Sequence, residues 1–376
     1  MTIDYRKLAA PAVLALTPYV PGKPLSELER EYGIADSVKL ASNENPLGPS
    51  PRALAAAARA LQEIRLYPDG NGHELRQALA RHHQLAPECI TLGNGSNDVL
   101  VMLADAFLSP GAEAVLSEYC FAVYPLAVQA TGAVARVARA YPWDAAMPLG
   151  HDLQAMRALV NDRTRLVIFA NPNNPTGTWV AGTELRRFVD SLPETTLVAV
   201  DEAYFEYARE VDCPDTSRWL AECPNLVVVR TFSKAYGLAG LRVGYGLSHP
   251  GIADLLNRVR QPFNVNGVSL AAAAAALGDP AHVEAVVRLN RAGREQLTAA
   301  CRSLGIRCLP SAANFILVDV ARPAGPVYEA LLRAGVIVRP MAGYGLPTCL
   351  RISTGTAEQN ERCATALARV LRGAGR

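Results

Sequence analysis

From about residue 75 to residue 260 the chain alternates short, continuous apolar runs with segments of helical periodicity, and few architectures accept that rhythm. The runs fall at 89–92, 114–116, 166–170, 197–200 and 226–229, rich in Val, Leu and Ile. Runs that are apolar at every position suit strands covered on both faces. Helical patterns at 99–108 and 184–192 lie between them. The expected fold is therefore α/β, a mostly parallel sheet with helices on both faces. Before it, Ser50 and Pro51 form a helix start, Ser at the N-cap and Pro at the first helical position, with Leu54, Ala57, Ala58, Leu61 and Ile64 at helical spacing. After about residue 265 the rhythm changes. A long helical pattern at 282–304 precedes strand-like runs at 315–318, 336–338 and 350–352 and helical patterns at 327–334 and 358–371. This predicts a smaller α+β domain. The expected division is an N-terminal arm over 1–45 that packs with the small domain, a large domain over 46–262 and a small domain over 263–376.

Composition excludes several classes. The chain is 50% hydrophobic and 19% charged, with a formal net charge of +2. It can bury a large core, and it lacks the basic surplus of a nucleic-acid binder. No apolar run reaches the roughly 20 residues of a membrane span. The segment after Arg6-Lys7 is a poor signal peptide, because Pro11 interrupts it and Thr17-Pro18-Tyr19 stands where a small-residue cleavage site belongs. The expectation is a cytoplasmic protein without membrane or nucleic-acid partners. The eight cysteines form no C-x-x-C, and the six histidines include His82-His83 but no H-E-x-x-H. They read as small buried groups and surface groups, with no metal site.

In an open parallel sheet, ligands bind beyond the carboxyl ends of the strands. After 89–92 comes Gly93-Asn94-Gly95-Ser96-Asn97-Asp98 and a helix, whose exposed N–H groups suit a phosphate. After 166–170 comes the amide-rich turn Asn171-Pro172-Asn173-Asn174-Pro175-Thr176-Gly177. After 197–200 come Asp201 and Tyr204, and after 226–229 come Thr231, Ser233 and Lys234. Lysine occurs elsewhere only at positions 7, 23 and 39, so Lys234 is the one amine side chain of the chain body. Each piece alone has an ordinary structural explanation: glycine turns, helix caps and solvated lysines are common. Their convergence on one rim suits pyridoxal phosphate, whose aldehyde needs an amine, whose phosphate needs N–H groups and hydroxyls, and whose ring nitrogen needs a carboxylate. Asp201 would keep that nitrogen protonated. Tyr204 and Asn174 would reach the ring 3-oxygen, and Lys234 would be the base beside the substrate α-carbon. Nucleotide loops are not matched: there is no G-x-x-x-x-G-K-[ST], and no Gly-x-Gly pair is completed by a third glycine.

The Asn-Pro turn, Asp201-Glu202-Ala203-Tyr204, Thr231-Phe232-Ser233-Lys234 and Arg242 together resemble the fold-type-I pyridoxal-phosphate-dependent aminotransferases, over nearly the whole chain. Leu40 to Pro51, Tyr67-Pro68-Asp69-Gly70 and Leu350 to Thr356 are similar to the branch of that family that acts on histidinol phosphate. The resemblance implies that Lys234 carries the cofactor and the proton, that Asp201 pairs with the ring nitrogen and that Asn174 and Tyr204 bind the 3-oxygen. It also implies that Gly95, Ser96, Asn97, Thr231, Ser233 and Arg242 hold the phosphate. Phe121, where many relatives have Tyr, would stack on the ring. Tyr67 would reach the phosphate of a neighbouring subunit, so a homodimer is implied. Arg351 would bind a carboxylate, and Arg339, Tyr19 and Asn43 would contact the rest of the substrate. The implied small-molecule partners are a phosphorylated amino alcohol or amino acid and 2-oxoglutarate. Aromatic amino acids are an alternative donor, and decarboxylation or a cofactor-sensing regulatory role are further readings. Arg339 and Arg351 could instead pair with surface acids, and Phe121 and Tyr124 could be ordinary core aromatics.

Overall fold

A computed structural model describes residues 3–19 and 21–373; the outermost residues of the expected arm and small domain, and residue 20, lie outside the described residues. Among the described residues, thirteen strands form three sheets. They are β1 (Val38–Lys39), β2 (Ile90–Gly93), β3 (Glu113–Ser117), β4 (Val134–Ala138), β5 (Thr164–Ala170), β6 (Leu197–Asp201), β7 (Leu226–Thr231), β8 (Gly244–Ser248), β9 (Arg307–Cys308), β10 (Phe315–Asp319), β11 (Val336–Ile337), β12 (Arg339–Pro340) and β13 (Cys349–Ser353). The seven-stranded sheet has the order β2-β8-β7-β6-β5-β3-β4. All its neighbouring pairs are parallel except those of β8, which runs antiparallel to both β2 and β7.

Alternate residues of the central strands feed two separate cores. Val167, Phe169, Val198, Val200 and Val228 face one, while Leu166, Ile168, Ala199, Val227 and Val229 face the other. A sheet covered on both sides explains why these strands are apolar at every position. β4 differs because it is the edge, with Val134 and Val137 about half exposed. β8, Gly244-Tyr245-Gly246-Leu247-Ser248, has no signature in the apolar pattern because its glycines are dictated by packing. A Cβ on Gly244 would lie 2.3 Å from the Ser96 nitrogen, and one on Gly246 would lie 2.9 Å from Val99. The helix Ser96–Phe107 crosses β8 so closely that only glycine fits.

The four-stranded sheet, β12-β13-β10-β9, is antiparallel. β1 pairs in parallel with β11, and Leu28, Ala41, Leu332 and Ile337 close a small core between the arm and the helix Ala324–Arg333. The apolar packing does not divide at residue 262. Helix Gly267–Leu277 buries Ala272, Ala273 and Ala276 in the core of the large sheet, as do Val283 and Val286 of helix Pro280–Ser303. No single helix among the described residues is long and apolar enough to cross a membrane. Ser50 caps helix Pro51–Ala60 as its sequence implies, accepting from Ala53 N at 3.2 Å. That helix stops at Ala60, and its inward face is Ala53 and Ala56. Leu54, Leu61 and Ile64, the leucines and isoleucine of the helical spacing, are more than half exposed.

The ends of β6 and β7 are tied by a buried ion pair. Arg230 donates to Glu202 from Nε (2.9 Å) and Nη2 (2.6 Å), and from Nη2 to Asp215 at 2.6 Å. Glu202 also accepts from Thr216 N and Oγ1, at 3.0 and 2.5 Å, and the Phe205 ring covers the guanidinium at 3.8 Å. Removing one partner of such a pair leaves an uncompensated buried charge. We therefore expect Glu202→Ala to lower stability by roughly 3–5 kcal/mol. The double replacement Glu202→Leu/Arg230→Met should recover much of that loss; equal denaturant midpoints for Glu202→Ala and the parent would contradict the assignment.

Candidate active site

The carboxyl ends of β2, β3, β5, β6 and β7 and the start of β8 share one edge of the large sheet. A cavity of about 190 Å³ lies there, lined by Ser96, Asn97, Phe121, Tyr124, Asn174, Asp201, Tyr204, Thr231, Ser233, Lys234 and Arg242. The edge therefore gathers the residues that the sequence places after separate strands. Gly95 adjoins it at φ +82°, and a Cβ there would lie 2.3 Å from Arg242 Nη2, so the missing side chain makes room for the guanidinium. Arg242 Nη1 donates to Ser233 Oγ at 3.2 Å. Ser233 N donates to Thr231 Oγ1 at 3.1 Å. Ser96 and Asn97 begin a twelve-residue helix, and the Asn97 Oδ1 atom is buried without a partner. This cradle of hydroxyls, helix N–H groups and one guanidinium fits a phosphate dianion.

Asp201, at the end of β6, is only 4% exposed. It accepts from Tyr124 Oη at 2.8 Å and from Ala203 N at 3.1 Å. Burial raises its pKa to about 6, against those two donors. A cationic ring nitrogen beside it would reverse that shift. Tyr124 is the partner that sequence reasoning left among the core aromatics. Its position three residues after Phe121, on the helix Val123–Ala130 that follows β3, was the available signal. Phe121 and Tyr124 meet edge to face at 5.8 Å.

Lys234 reaches the cavity from the turn after β7. Its Nζ donates to Ser42 O at 3.2 Å and lies 5.6 Å from the Tyr204 ring centre. Burial lowers its pKa to about 8, with Arg351 and Arg242 adding repulsion. The Tyr204 phenol accepts from Asn43 Nδ2 at 2.9 Å, and burial raises its pKa to about 12. Asn43, at φ +55°, is fixed by Ser353 and Asn314, so three segments meet at one phenol. The Asn171–Gly177 loop is held by its own amides. Asn171 exchanges two hydrogen bonds with Val180, and Asn173 donates to Tyr119 O and Thr176. The remaining amide, Asn174, faces the cavity. Its oxygen accepts from Arg351 Nη1 at 2.5 Å, which leaves its NH2 as the group to donate.

A second chamber of about 150 Å³ adjoins the first across Phe121, Asn174, Tyr204 and Lys234. Asn43, Arg351, Arg339, Tyr19 and Tyr344 complete it. Arg351 and Arg339 are direct cross-strand partners on β13 and β12, so the two guanidinium-bearing residues stand side by side. Arg351 is held by Asn174 and Ala41 O, rests over the Phe315 ring at 5.2 Å, and keeps a buried Nε without a partner. Burial lowers its pKa. Arg339 lies 5.9 Å from the Tyr19 ring centre, beneath the arm. Tyr67 is the exception. It lines neither chamber, is 83% exposed and stacks on Phe263 at 4.8 Å.

The arrangement places a buried amine between a carboxylate and a cradle of hydroxyls, helix N–H groups and one guanidinium, beside a chamber that carries two arginines. In the ligand-free protein, the rate of Lys234 acylation should rise with pH to a half-maximum near 8, because burial favours the neutral amine. Arg351→Gln removes a neighbouring positive charge and should move that midpoint upward. A parent midpoint near the ordinary lysine value of 10.5 would refute the description.

Residues 35–367 match the family aminotransferase class I and II. The chain is 57% identical to histidinol-phosphate aminotransferase 2 of Methylococcus capsulatus, covering 97% of this chain and 98% of the relative. It is 56% identical to histidinol-phosphate aminotransferase 2 of Pseudomonas aeruginosa, covering 98% and 99%. Among solved structures it is similar to the histidinol-phosphate aminotransferase of Sinorhizobium meliloti in complex with pyridoxal-5′-phosphate. The TM-score is 0.87 and the identity 33%, with 97% of this chain and 98% of that chain covered.

Proposed function

That this chain belongs to the class I and II aminotransferases is the premise from which we propose its reaction: transfer of the amino group of histidinol phosphate to 2-oxoglutarate, through pyridoxal 5′-phosphate. The products are imidazole-acetol phosphate and glutamate, in histidine biosynthesis. The observation that carries this reading is the cavity of Lys234 and Asp201 opening onto a chamber that ends on two adjacent arginines.

The cofactor fits the residues present: a phosphate for the Arg242 cradle, a ring nitrogen for the buried Asp201 carboxylate, and an aldehyde for Lys234. When bound, it supplies a carbonyl that takes up the donor amine and a protonated ring that accepts the electron pair left by the α-proton. The protein does the rest. Asp201, held by Tyr124 and the Ala203 N–H, keeps its charge next to the ring nitrogen. Tyr204 and the Asn174 NH2 group hold the ring 3-oxygen, and Phe121 packs on the ring face. Gly95, Ser96, Asn97, Thr231, Ser233 and Arg242 anchor the phosphate. Lys234, neutral from about pH 8 upward, takes the α-proton and returns it one atom along. Arg351 binds the 2-oxoglutarate carboxylate, Asn43 lines the substrate chamber beside Tyr204, and Arg339 and Tyr19 hold the far end of the donor, where its phosphate lies. The burial around Lys234 excludes water from the proton transfer.

We further propose a cytoplasmic homodimer. Leu54, Leu61, Ile64, Leu66, Tyr67 and Phe263 are exposed together on one chain, and a second copy would cover them and receive Tyr67 at its phosphate. We propose a large domain over 46–262 and a small domain over 263–376 that share one apolar core, to which Ala272, Val286, Ala313 and Phe315 of the later part contribute.

Lys234→Ala should lose at least roughly 10²–10⁴-fold in turnover. A donor panel read by cofactor absorbance tests the substrate: histidinol phosphate should be converted at the highest kcat/KM, and a preference for phenylalanine would overturn the assignment. Arg339→Met should cut kcat/KM for histidinol phosphate by roughly 10- to 100-fold. It should leave the 2-oxoglutarate half-reaction much less changed.

A further inference from the structure

Tyr204 carries one phenol proton, and its buried neighbours decide where that proton points. The ring is held edge to face on Phe315, with 5.4 Å between centres. A phenol O–H lies near the plane of its ring, so two directions are open to it, toward Asn43 or away from it. Which one is taken follows from a chain of hydrogen bonds that starts at a backbone N–H.

Asn43 N donates to Ser353 Oγ at 2.9 Å. A backbone N–H can only donate, so the Ser353 hydroxyl accepts there and spends its single proton on Asn43 Oδ1, at 2.8 Å. An amide whose oxygen is engaged presents its NH2 on the other side, and Asn43 Nδ2 donates to Tyr204 Oη at 2.9 Å. The phenol oxygen is thus an acceptor toward Asn43, and its own proton points the other way. The backbone is fixed as well: Asn314 Nδ2 donates to Asn43 O at 2.9 Å, and Ser353 N donates to Leu40 O at 2.8 Å. Asn43, Ser353 and Tyr204 are all buried, so bulk water does not compete for these bonds. The arm, β13 and the end of β6 each supply one link.

We propose that Ser353 is a positioning residue that acts through Asn43 to keep the Tyr204 proton directed at the ring 3-oxygen of the cofactor. The inference rests on the reaction proposed above. Without the Ser353 hydroxyl, the Asn43 amide is free to turn over; its oxygen then takes the Tyr204 proton, and the 3-oxygen loses a donor. A donor at that oxygen stabilises its negative charge and so favours loss of the proton from the cofactor nitrogen joined to Lys234. With the donor withdrawn, that proton is held to higher pH.

The full-length holoenzyme is titrated with acid and base while the absorbance of the bound cofactor is followed. In Ser353→Ala the midpoint should rise by roughly one pH unit. Ser353→Thr, which keeps the hydroxyl, should restore the parent midpoint. In Tyr204→Phe there is no phenol proton to direct, so adding Ser353→Ala should give no further shift. Asn43→Asp presents an oxygen to Tyr204 with Ser353 intact, and should raise the midpoint more in the parent than in Tyr204→Phe. An unchanged midpoint in Ser353→Ala, or an equal rise in Tyr204→Phe, overturns this proposal alone. Where Ser353→Ala takes up no cofactor, equal rises for Asn43→Asp in the two backgrounds overturn it. A parent protein whose absorbance shows no bound cofactor overturns the proposed reaction and this proposal with it.

Discussion

Asp201 and Glu202 are neighbouring carboxylates that point to opposite sides of one strand end, and both are buried. Burying two adjacent acids is tolerable only because Arg230, on the next strand, meets Glu202 with two hydrogen bonds and Asp215 with a third. The same alternation holds one strand over: Arg230 points toward this anchor and Thr231 toward the cavity. Each strand end thus has a structural residue behind and a chemical residue in front. The anchor fixes how far apart β6 and β7 end, and so fixes Asp201, Tyr204, Thr231 and Lys234 relative to one another.

The low dielectric at this edge disfavours the charge on both titrating groups, which suits a base at Lys234 and has to be offset at Asp201. It raises the Asp201 carboxyl to about 6 and lowers the Lys234 amine to about 8, because burial disfavours either charge. In the proposed reaction a protonated ring nitrogen would restore the Asp201 charge, while no group would fully restore that of Lys234. There the acid would become a fixed anion and the amine would stay an available base. One desolvated volume therefore yields two different functions, and the difference comes from what each side chain faces.

The central strands were legible because a strand covered on both faces is apolar at every position, and the rim was legible because function follows the carboxyl ends of such strands. What escaped the sequence has physical reasons. β8 has glycines where an apolar run would be expected, because helix Ser96–Phe107 lies against its backbone. β4 is an edge strand with Arg136 between its valines. Tyr124 is buried like a core aromatic, and only its phenol oxygen, 2.8 Å from Asp201, distinguishes it. Leu54, Leu61 and Ile64 follow helical spacing, yet spacing does not say whether the covering surface belongs to the same chain. The Arg339–Arg351 pairing depends on the register of β12 against β13, which two short runs cannot specify.

That register has an energetic consequence. Like charges directly opposite on neighbouring strands destabilise a sheet. Here the Tyr19 and Phe315 rings lie against the two guanidiniums, and Arg351 spends its donors on Asn174 and a carbonyl while one buried N–H remains unmet. Aromatic faces attract cations but do not neutralise them. An anion entering the chamber would separate the two positive charges electrostatically and meet the idle donor at once. In the proposed reaction a doubly anionic ligand would meet the guanidiniums of both neighbouring residues, whereas a neutral aromatic side chain of similar size would meet neither with a charge.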